Sequence, residues 1–119
     1  MRSALPITWR GMPIISTKMP HFFLKLIAPR PTFALDMTEQ EKAMMQEHFL
    51  YWKGHQDAGE VLVFGPVLDP NAPYGMGIVS APDEAGARAF AAGDPAMKAN
   101  CGFTCEIHPM RAVVRETVN

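Results

Sequence analysis

The sequence lacks the features that mark several large classes of protein. It has two cysteines in 119 residues, too few for a disulfide framework. No apolar run approaches the roughly 18 residues that a membrane span needs. The formal net charge is −1, from 11 basic and 12 acidic residues, so no basic surface for nucleic acid is indicated. We therefore expect a protein with no membrane and no nucleic-acid partner.

The two cysteines, Cys101 and Cys105, are predicted to be free thiols. On a helix they would share a face, but on a strand they would lie about 13 Å apart, too far for one disulfide or one metal ion. No Cys-x-x-Cys or His-x-x-x-His pair supplies further zinc ligands, and no nucleotide-binding loop or serine elbow is present. We expect reduced thiols in a cytoplasmic protein, with no metal and no cofactor.

Length and composition predict one globular domain. The chain has 119 residues, of which 48% are hydrophobic, enough for a single modest core that would gain from pairing with a second copy. Residues 1–18 hold three basic residues, no acidic residue and two prolines, which interrupt any signal-peptide core. We interpret 1–18 as an N-terminal arm whose removal leaves a folded protein, and 19–119 as the folded domain.

Beyond the arm, strand-like and helix-like patterns alternate. Thr38 followed by Glu41 forms a capping box that starts the first helix, and Gly59 ends it. The stretch RPTFALD before that helix is interpreted as a loop, and Asp94-Pro95 opens a further turn of helix after the second helix. The predicted strands are 21–29, 60–67, 74–82 and 104–116, and the predicted helices are 38–58 and 83–93.

The resulting order, β-α-β-β-α-β, predicts a ferredoxin-like α+β fold. Its antiparallel four-stranded sheet would carry both helices on one face and leave the other face open. Apolar residues within 22–27, 61–67 and 76–79 would line that open face. A partner sheet or a ligand must then cover it, so we expect a homodimer whose two sheets pack face to face.

His48, Asp94 and the pair Gly65-Pro66 are the candidate functional residues, and each has a structural alternative. His48 lies beside the apolar stripe of the first helix, where an imidazole can move protons or simply pack its ring at the boundary. Asp94 before proline is a helix cap, but a rigid carboxylate can also orient a histidine. Pro66 cannot donate to a ladder, so the strand lies at an edge or bulges; a bulge would open a pocket or only bend the sheet.

A metal site shared by His48 and His55 is not favoured. The two residues are seven positions apart, which on a helix corresponds to about 10.5 Å along the axis. Histidines that bind one metal ion from a single helix are usually three or four positions apart. Neither histidine therefore gains a ligand partner from its own helix.

The chain from 19 to 116 resembles the YCII-related (YciI-like) domain family. The matching features, in order, are His48, Gly59, the strand that ends in Gly65-Pro66, Asp94-Pro95 and the proline of the last strand, Pro109. The resemblance implies a dimeric α+β barrel of two ferredoxin-like subunits. It also implies a pocket with a His–Asp pair, carried here by His48 and Asp94.

The family resemblance implies an enzyme, although it does not name the reaction. Some relatives look like lactone dehalogenases, and the wider barrel superfamily includes isomerases and monooxygenases. We interpret His48 as the catalytic acid or base and Asp94 as its partner, acting in proton transfer, elimination or hydrolysis on a lactone or halogenated organic acid. The alternative is a non-catalytic dimeric domain that binds a small ligand or serves a stress response. The expected substrate-pocket residues are Tyr51, Trp52, Gly65, Pro66 and Met97.

One departure from the family pattern concerns the residues after Asp94-Pro95. A bulky aromatic residue is common there in the family, whereas this chain has Ala96 and Met97. The smaller side chains would enlarge or reshape the pocket. The substrate of a relative therefore cannot be transferred to this chain.

Overall fold

The computed structural model describes residues 19–115. The predicted arm, 1–18, and the end of the predicted domain, 116–119, lie outside the described residues. Within 19–115 the elements are β1 (His21–Ile27), α1 (Phe33–Asp36), α2 (Glu39–Asp57), β2 (Val61–Val67), β3 (Tyr74–Ser80), α3 (Glu84–Gly93), α4 (Pro95–Lys98) and β4 (Thr104–Met110).

The four strands form one antiparallel sheet in the order β2-β3-β1-β4. This is the strand order of a ferredoxin-like fold. In each βαβ half the two strands are not neighbours, because one strand of the other half lies between them. Leu24 in the central strand β1 lies opposite Gly77 of β3 and Ile107 of β4. The predicted α+β class and the antiparallel four-stranded sheet are confirmed.

Helices cover one face of the sheet and bury its apolar side chains. Phe22, Leu24 and Val79 point from the sheet into this core and are almost fully buried. Trp52 from α2 and Ala87 from α3 close the core from the helix side. The alternation of buried and partly buried residues along β1 is the period of two expected for a strand with one covered face.

The opposite face carries a mixture of apolar and charged side chains. Phe23 is paired with Ile78 across the β1–β3 ladder, and Val63 of β2 is paired with Ile78 from the other side. Lys25 and Glu106 are paired on the same face at the β1–β4 ladder. Val63 is 46% exposed. The apolar patch predicted for this face is therefore narrower than expected, since half of the residues in the predicted segments point into the helix-covered core.

The caps of α2 agree with the sequence prediction. The hydroxyl of Thr38 accepts from the backbone N–H of Glu41, and the Glu41 carboxylate accepts from the backbone N–H of Thr38. Gly59, with φ of 87°, follows the helix in the left-handed region that glycine adopts without steric cost. These local signals fix both ends of α2.

Two local predictions were wrong. The stretch RPTFALD contains the one-turn helix α1, where the buried ring of Phe33 contacts Phe103 edge-on at 5.1 Å. One turn is too short to produce a periodic pattern. The last strand ends at Met110 instead of continuing to residue 116.

Of the two alternatives for the strand at Gly65-Pro66, the bulge was wrong. Both residues pair in regular register with β3, and the irregularity of β2 lies between Val61 and Val63. The alternative, an edge position, is confirmed because β2 is the outermost strand next to β3. At an edge, the missing N–H of Pro66 removes no hydrogen bond from a neighbouring strand.

In the described part of the chain, no helix has the length and hydropathy to span a membrane.

Candidate active site

A cavity of about 330 Å³ lies between the helices and the outer half of the sheet. Its wall combines side chains of β1, the α1 segment, α2 and the β2–β3 edge. Most are aliphatic, aromatic or methionine, among them Leu24, Phe33, Met45, Phe64 and Phe103. His48 lies in this wall and is the one imidazole that the described residues contribute to it. The cavity is therefore a mainly apolar site with an imidazole in its wall, a group suited to proton transfer.

His48 is paired with a buried carboxylate. Its Nδ1 lies 2.9 Å from both Oδ1 and Oδ2 of Asp94, which is the first residue before α4. Asp94 is 1% exposed, whereas the His48 side chain is 15% exposed. The packing of α2 against α4 brings together two residues that are 46 positions apart in the sequence.

Two further N–H groups hold the Asp94 carboxylate. The indole Nε1 of Trp52 donates to Oδ2 at 2.7 Å, and the backbone N–H of Ala96 donates to Oδ1 at 2.8 Å. Trp52 follows His48 by four positions, so both side chains leave the same face of α2. Asp94 is thus a helix cap and a histidine partner at once, and the two interpretations of this residue do not compete.

The environment of Asp94 determines which ring nitrogen of His48 carries a proton. Every polar neighbour of the carboxylate is an N–H donor, so Nδ1–H donates to Asp94 and the neutral ring has its lone pair on Nε2. Among residues 19–115, Nε2 makes no hydrogen bond. A molecule in the cavity would therefore meet an imidazole that is ready to accept a proton.

Gly77 makes room for the Trp52 indole. A Cβ at position 77 would lie only 2.1 Å from Cζ3 of Trp52, closer than any real contact. The six-membered edge of the indole thus rests directly on the backbone of β3. This contact fixes the end of the ring opposite the N–H, and so directs the N–H toward Asp94.

The negative charge of Asp94 helps to raise the pKa of two neighbouring side chains. Burial, followed by the charges of Asp94 and Glu106, raises the pKa of the Cys105 thiol to about 11. Burial and the charge of Asp94 likewise raise the pKa of the Tyr51 phenol. Cys105 is therefore a neutral thiol at neutral pH, and a thiolate nucleophile is not available there.

The structure brings together some of the predicted pocket residues and separates others. Trp52, Gly65 and Pro66 line the cavity together with His48. Tyr51 and Met97 are absent from its wall. The Tyr51 hydroxyl donates to the carbonyl of Phe90 at 2.8 Å, on the side of α2 that faces α3.

Several wall residues were missed by sequence reasoning. Phe33 and Met37 belong to the segment around α1, which was interpreted as a loop without a role. Phe64 was assigned to a strand but not to the pocket. Its spacing of two from Pro66 places both on the same face of β2, and this could have indicated it.

A comparison with family models identifies the fold family of the chain. The model of the YCII-related domain matches residues 21–111, which is most of the 119-residue chain. The chain belongs to the YCII-related domain family. The resemblance seen in the sequence motifs is thereby confirmed. A comparison with curated proteins finds no significant match.

The cysteines and histidines of this YCII-related domain were also candidates for a disulfide or a metal site. Cys101 and Cys105 are unbridged, as predicted. Within residues 19–115, no three His, Cys, Asp or Glu residues are arranged to hold a metal ion. The His55 ring packs against Tyr51 and Phe90, away from the cavity. His48 is thus the histidine that the fold places beside a potential ligand.

Proposed function

We propose that this YCII-related domain is an enzyme that uses His48 for acid–base chemistry on a small molecule held in the cavity. The observation that carries the proposal is the Nδ1 atom of His48, 2.9 Å from both oxygens of the buried Asp94, on the wall of an apolar cavity. The reaction class is proton transfer, elimination or hydrolysis. Lactones and halogenated organic acids are the two substrate classes.

In this mechanism Nε2 of His48 removes a proton from the substrate, or from a water that attacks it. The resulting imidazolium is stabilised by the Asp94 carboxylate through the Nδ1–H bond. The proton then returns from Nε2 to the leaving group or to the product, and the ring is neutral again. Asp94 keeps its charge throughout, and acts as a positioning residue because it does not touch the substrate.

Trp52 contributes by holding the carboxylate. Its indole N–H occupies Oδ2 of Asp94 and the Ala96 N–H occupies Oδ1, so the carboxylate cannot rotate freely. A fixed carboxylate keeps the His48 ring in one orientation, which general acid–base catalysis requires.

A non-catalytic binding domain is the second candidate. The apolar character of the cavity favours it, since such a site can bind a small molecule without transforming it. In that case His48 would only donate or accept one hydrogen bond to the ligand. The two candidates differ in whether the bound molecule is converted.

We also propose that the protein forms a homodimer through the open face of the sheet. Phe23, Ile78 and the half-exposed Val63 give that face an apolar centre. A second copy would cover this centre, while the polar residues of β4 would lie at the rim. Light scattering at micromolar concentration tests the dimer, and a monomer would contradict it.

The experiment for the catalytic proposal compares three proteins. Wild type, His48→Ala and His55→Ala are incubated with small lactones and halogenated acids, and the products are identified by mass spectrometry. His55 is the matched control because it lies on α2 but outside the cavity wall. Turnover by wild type and His55→Ala, with none by His48→Ala, supports the enzyme. Turnover that survives in His48→Ala rejects it, and binding of a compound without turnover favours the binding domain.

A further inference from the structure

The charges that the cavity lacks indicate which ligands it can accept. Among residues 19–115, the wall contains no Lys, Arg, Asp or Glu, and no Ser, Thr, Asn or Gln. Besides His48, the polar side-chain atoms of the wall belong to Trp52 and Tyr74. The indole N–H of Trp52 is already bound to Asp94. A charged ligand in this cavity would therefore meet one imidazole, the phenol of Tyr74 and otherwise an apolar surface.

An anionic ligand is particularly disfavoured. With His48 neutral, the His48–Asp94 pair already carries one negative charge just behind the wall. With His48 protonated, its positive charge is compensated by Asp94. In both cases a carboxylate in the cavity adds one uncompensated negative charge against an apolar wall, and burying such a charge is costly.

The cations near the cavity do not change this balance. Lys25 contacts the ring of Tyr74 at 4.5 Å, but Lys25 belongs to the open face of the sheet and is not in the cavity wall. Lys42 lines a neighbouring outer groove and is paired with Glu39 at 3.2 Å. Arg30 lies 5.2 Å from the centroid of the Phe33 ring, but its guanidinium is bound to the carboxylates of Asp36 and Glu41 and is absent from the wall. None of these three cations is placed to neutralise a carboxylate that lies against His48.

The shape and chemistry of the wall suit a flat ring. Six of the wall residues other than His48 are aromatic, and Met37 and Met45 add polarisable sulfur. The volume of about 330 Å³ lies at the lower end of the range of ligand sites, which is roughly 300–1,000 Å³. A small ring compound would be held mainly by its faces.

We infer that the ligand of this cavity is a small, uncharged ring compound that presents one oxygen to His48, such as a lactone, and not a carboxylate. This inference rests on the proposed function, because it takes the cavity as the substrate site. Of the two substrate classes named above, it selects the neutral lactone over the ionised halogenated acid.

Two probes of the same shape test the charge preference. Naphthamide and naphthoate differ in charge but hardly in size, and each is titrated at neutral pH into the full chain. Binding is followed by NMR through the methyl groups of Met37 and Met45, which line the cavity. We expect naphthamide to bind at least about tenfold more tightly, and phthalide, a neutral lactone, to shift the same methyl signals.

A charge introduced into the wall should reverse the preference. Met45→Lys places an ammonium group at the cavity, whereas Leu50→Lys adds the same charge on α2 outside it. Leu50 is 66% exposed, so this control should fold normally. We expect the affinity for naphthoate to rise by about tenfold in Met45→Lys and to stay unchanged in Leu50→Lys.

The outcomes separate this inference from the proposed function. Naphthoate binding to the wild-type cavity as tightly as naphthamide would overturn the inference, as would the failure of both neutral probes to shift the methionine signals at millimolar concentration. Turnover of a halogenated acid that requires His48 would also overturn it, while leaving the enzyme proposal intact. Turnover that survives in His48→Ala would reject the enzyme proposal without changing the charge preference.

Discussion

Two carboxylate clusters hold the ends of helices in this protein, and they differ in burial. Around Asp94, the partners are His48, Trp52 and the start of α4, and the carboxylate is 1% exposed. Around Arg30, the guanidinium donates to Asp36 and Glu41, and the Asp36 side chain is 51% exposed.

Both clusters consist of hydrogen bonds to carboxylates, but they differ in how much each bond contributes to stability. The Arg30 cluster ties α1 to the first turn of α2, which holds one wall of the cavity in place. Because water can replace the bonds to the half-exposed Asp36, that carboxylate contributes little to stability. Water cannot reach the buried Asp94 cluster, so each N–H donor there would lose its hydrogen bond if the carboxylate were removed. Burial therefore makes the Asp94 cluster the one in which a single substitution has a large effect.

The largest effect is expected for Asp94→Ala. Removal of the carboxylate leaves the Trp52 N–H and the Ala96 N–H without their acceptor in a buried site. We expect the free energy of unfolding to fall by about 3 kcal/mol. Urea denaturation measures it, and Asp36→Ala, which removes a carboxylate from the exposed cluster, is the control. Equal losses in the two variants would show that burial does not distinguish the clusters.

A smaller effect is expected for Trp52→Phe. This change keeps an aromatic ring against Gly77 but removes the N–H that donates to Asp94. We expect a loss of about 1 kcal/mol in the free energy of unfolding. The nitrogen chemical shifts of the His48 ring should also change, since the carboxylate that orients the ring is less constrained.

Tyr51→Phe is the matched control for that substitution. It also removes one aromatic hydrogen-bond donor from α2, but that donor binds the carbonyl of Phe90 and not Asp94. Its stability loss should be similar, while the His48 nitrogen shifts should remain as in wild type. A change of those shifts in both variants would mean that Trp52 acts only through general packing.

The smallest effect is expected in the exposed cluster and depends on pH. Hydrogen bonds from Arg30 and Thr38 lower the pKa of Glu41 from 4.5 to about 2 in the folded protein. A lowered folded-state pKa stabilises the protein above pH 4.5, and this contribution is lost as the pH falls from 4.5 to about 2. Glu41→Gln should therefore weaken the dependence of the melting temperature on pH in that window. An unchanged slope in the variant would contradict the assignment.

Local signals in the sequence were sufficient for α2 but not for α1. The capping box of Thr38 and Glu41 and the glycine at position 59 act within a few residues, so they can be recognised without a fold. The turn of α1 depends instead on Phe33 packing against Phe103 and on Arg30 binding Asp36. The contact between Phe33 and Phe103 joins residues 70 positions apart in the chain, so no local sequence pattern predicts it.

The candidate site shows the same division. Helical spacing places His48 and Trp52 on one face of α2, and Asp94 before proline is recognisable as a cap. That His48 and Asp94 converge was expected from the family resemblance and not from spacing, whereas the hydrogen bond from Trp52 to Asp94 was not expected. The contact of Trp52 with Gly77, and the exclusion of Tyr51 from the cavity wall, follow from how α2 is rotated against the sheet.

The sequence by itself determined the order of strands and main helices, both ends of α2 and the membership in the YCII-related family, because these depend on short-range patterns and motifs in a fixed order. Only the tertiary structure decided which residues surround Asp94, where β2 departs from regular pairing and which side chains line the cavity. These features depend on the rotation and separation of packed elements. A displacement of a few ångströms there makes or breaks a hydrogen bond, and it leaves the residue pattern of each element unchanged.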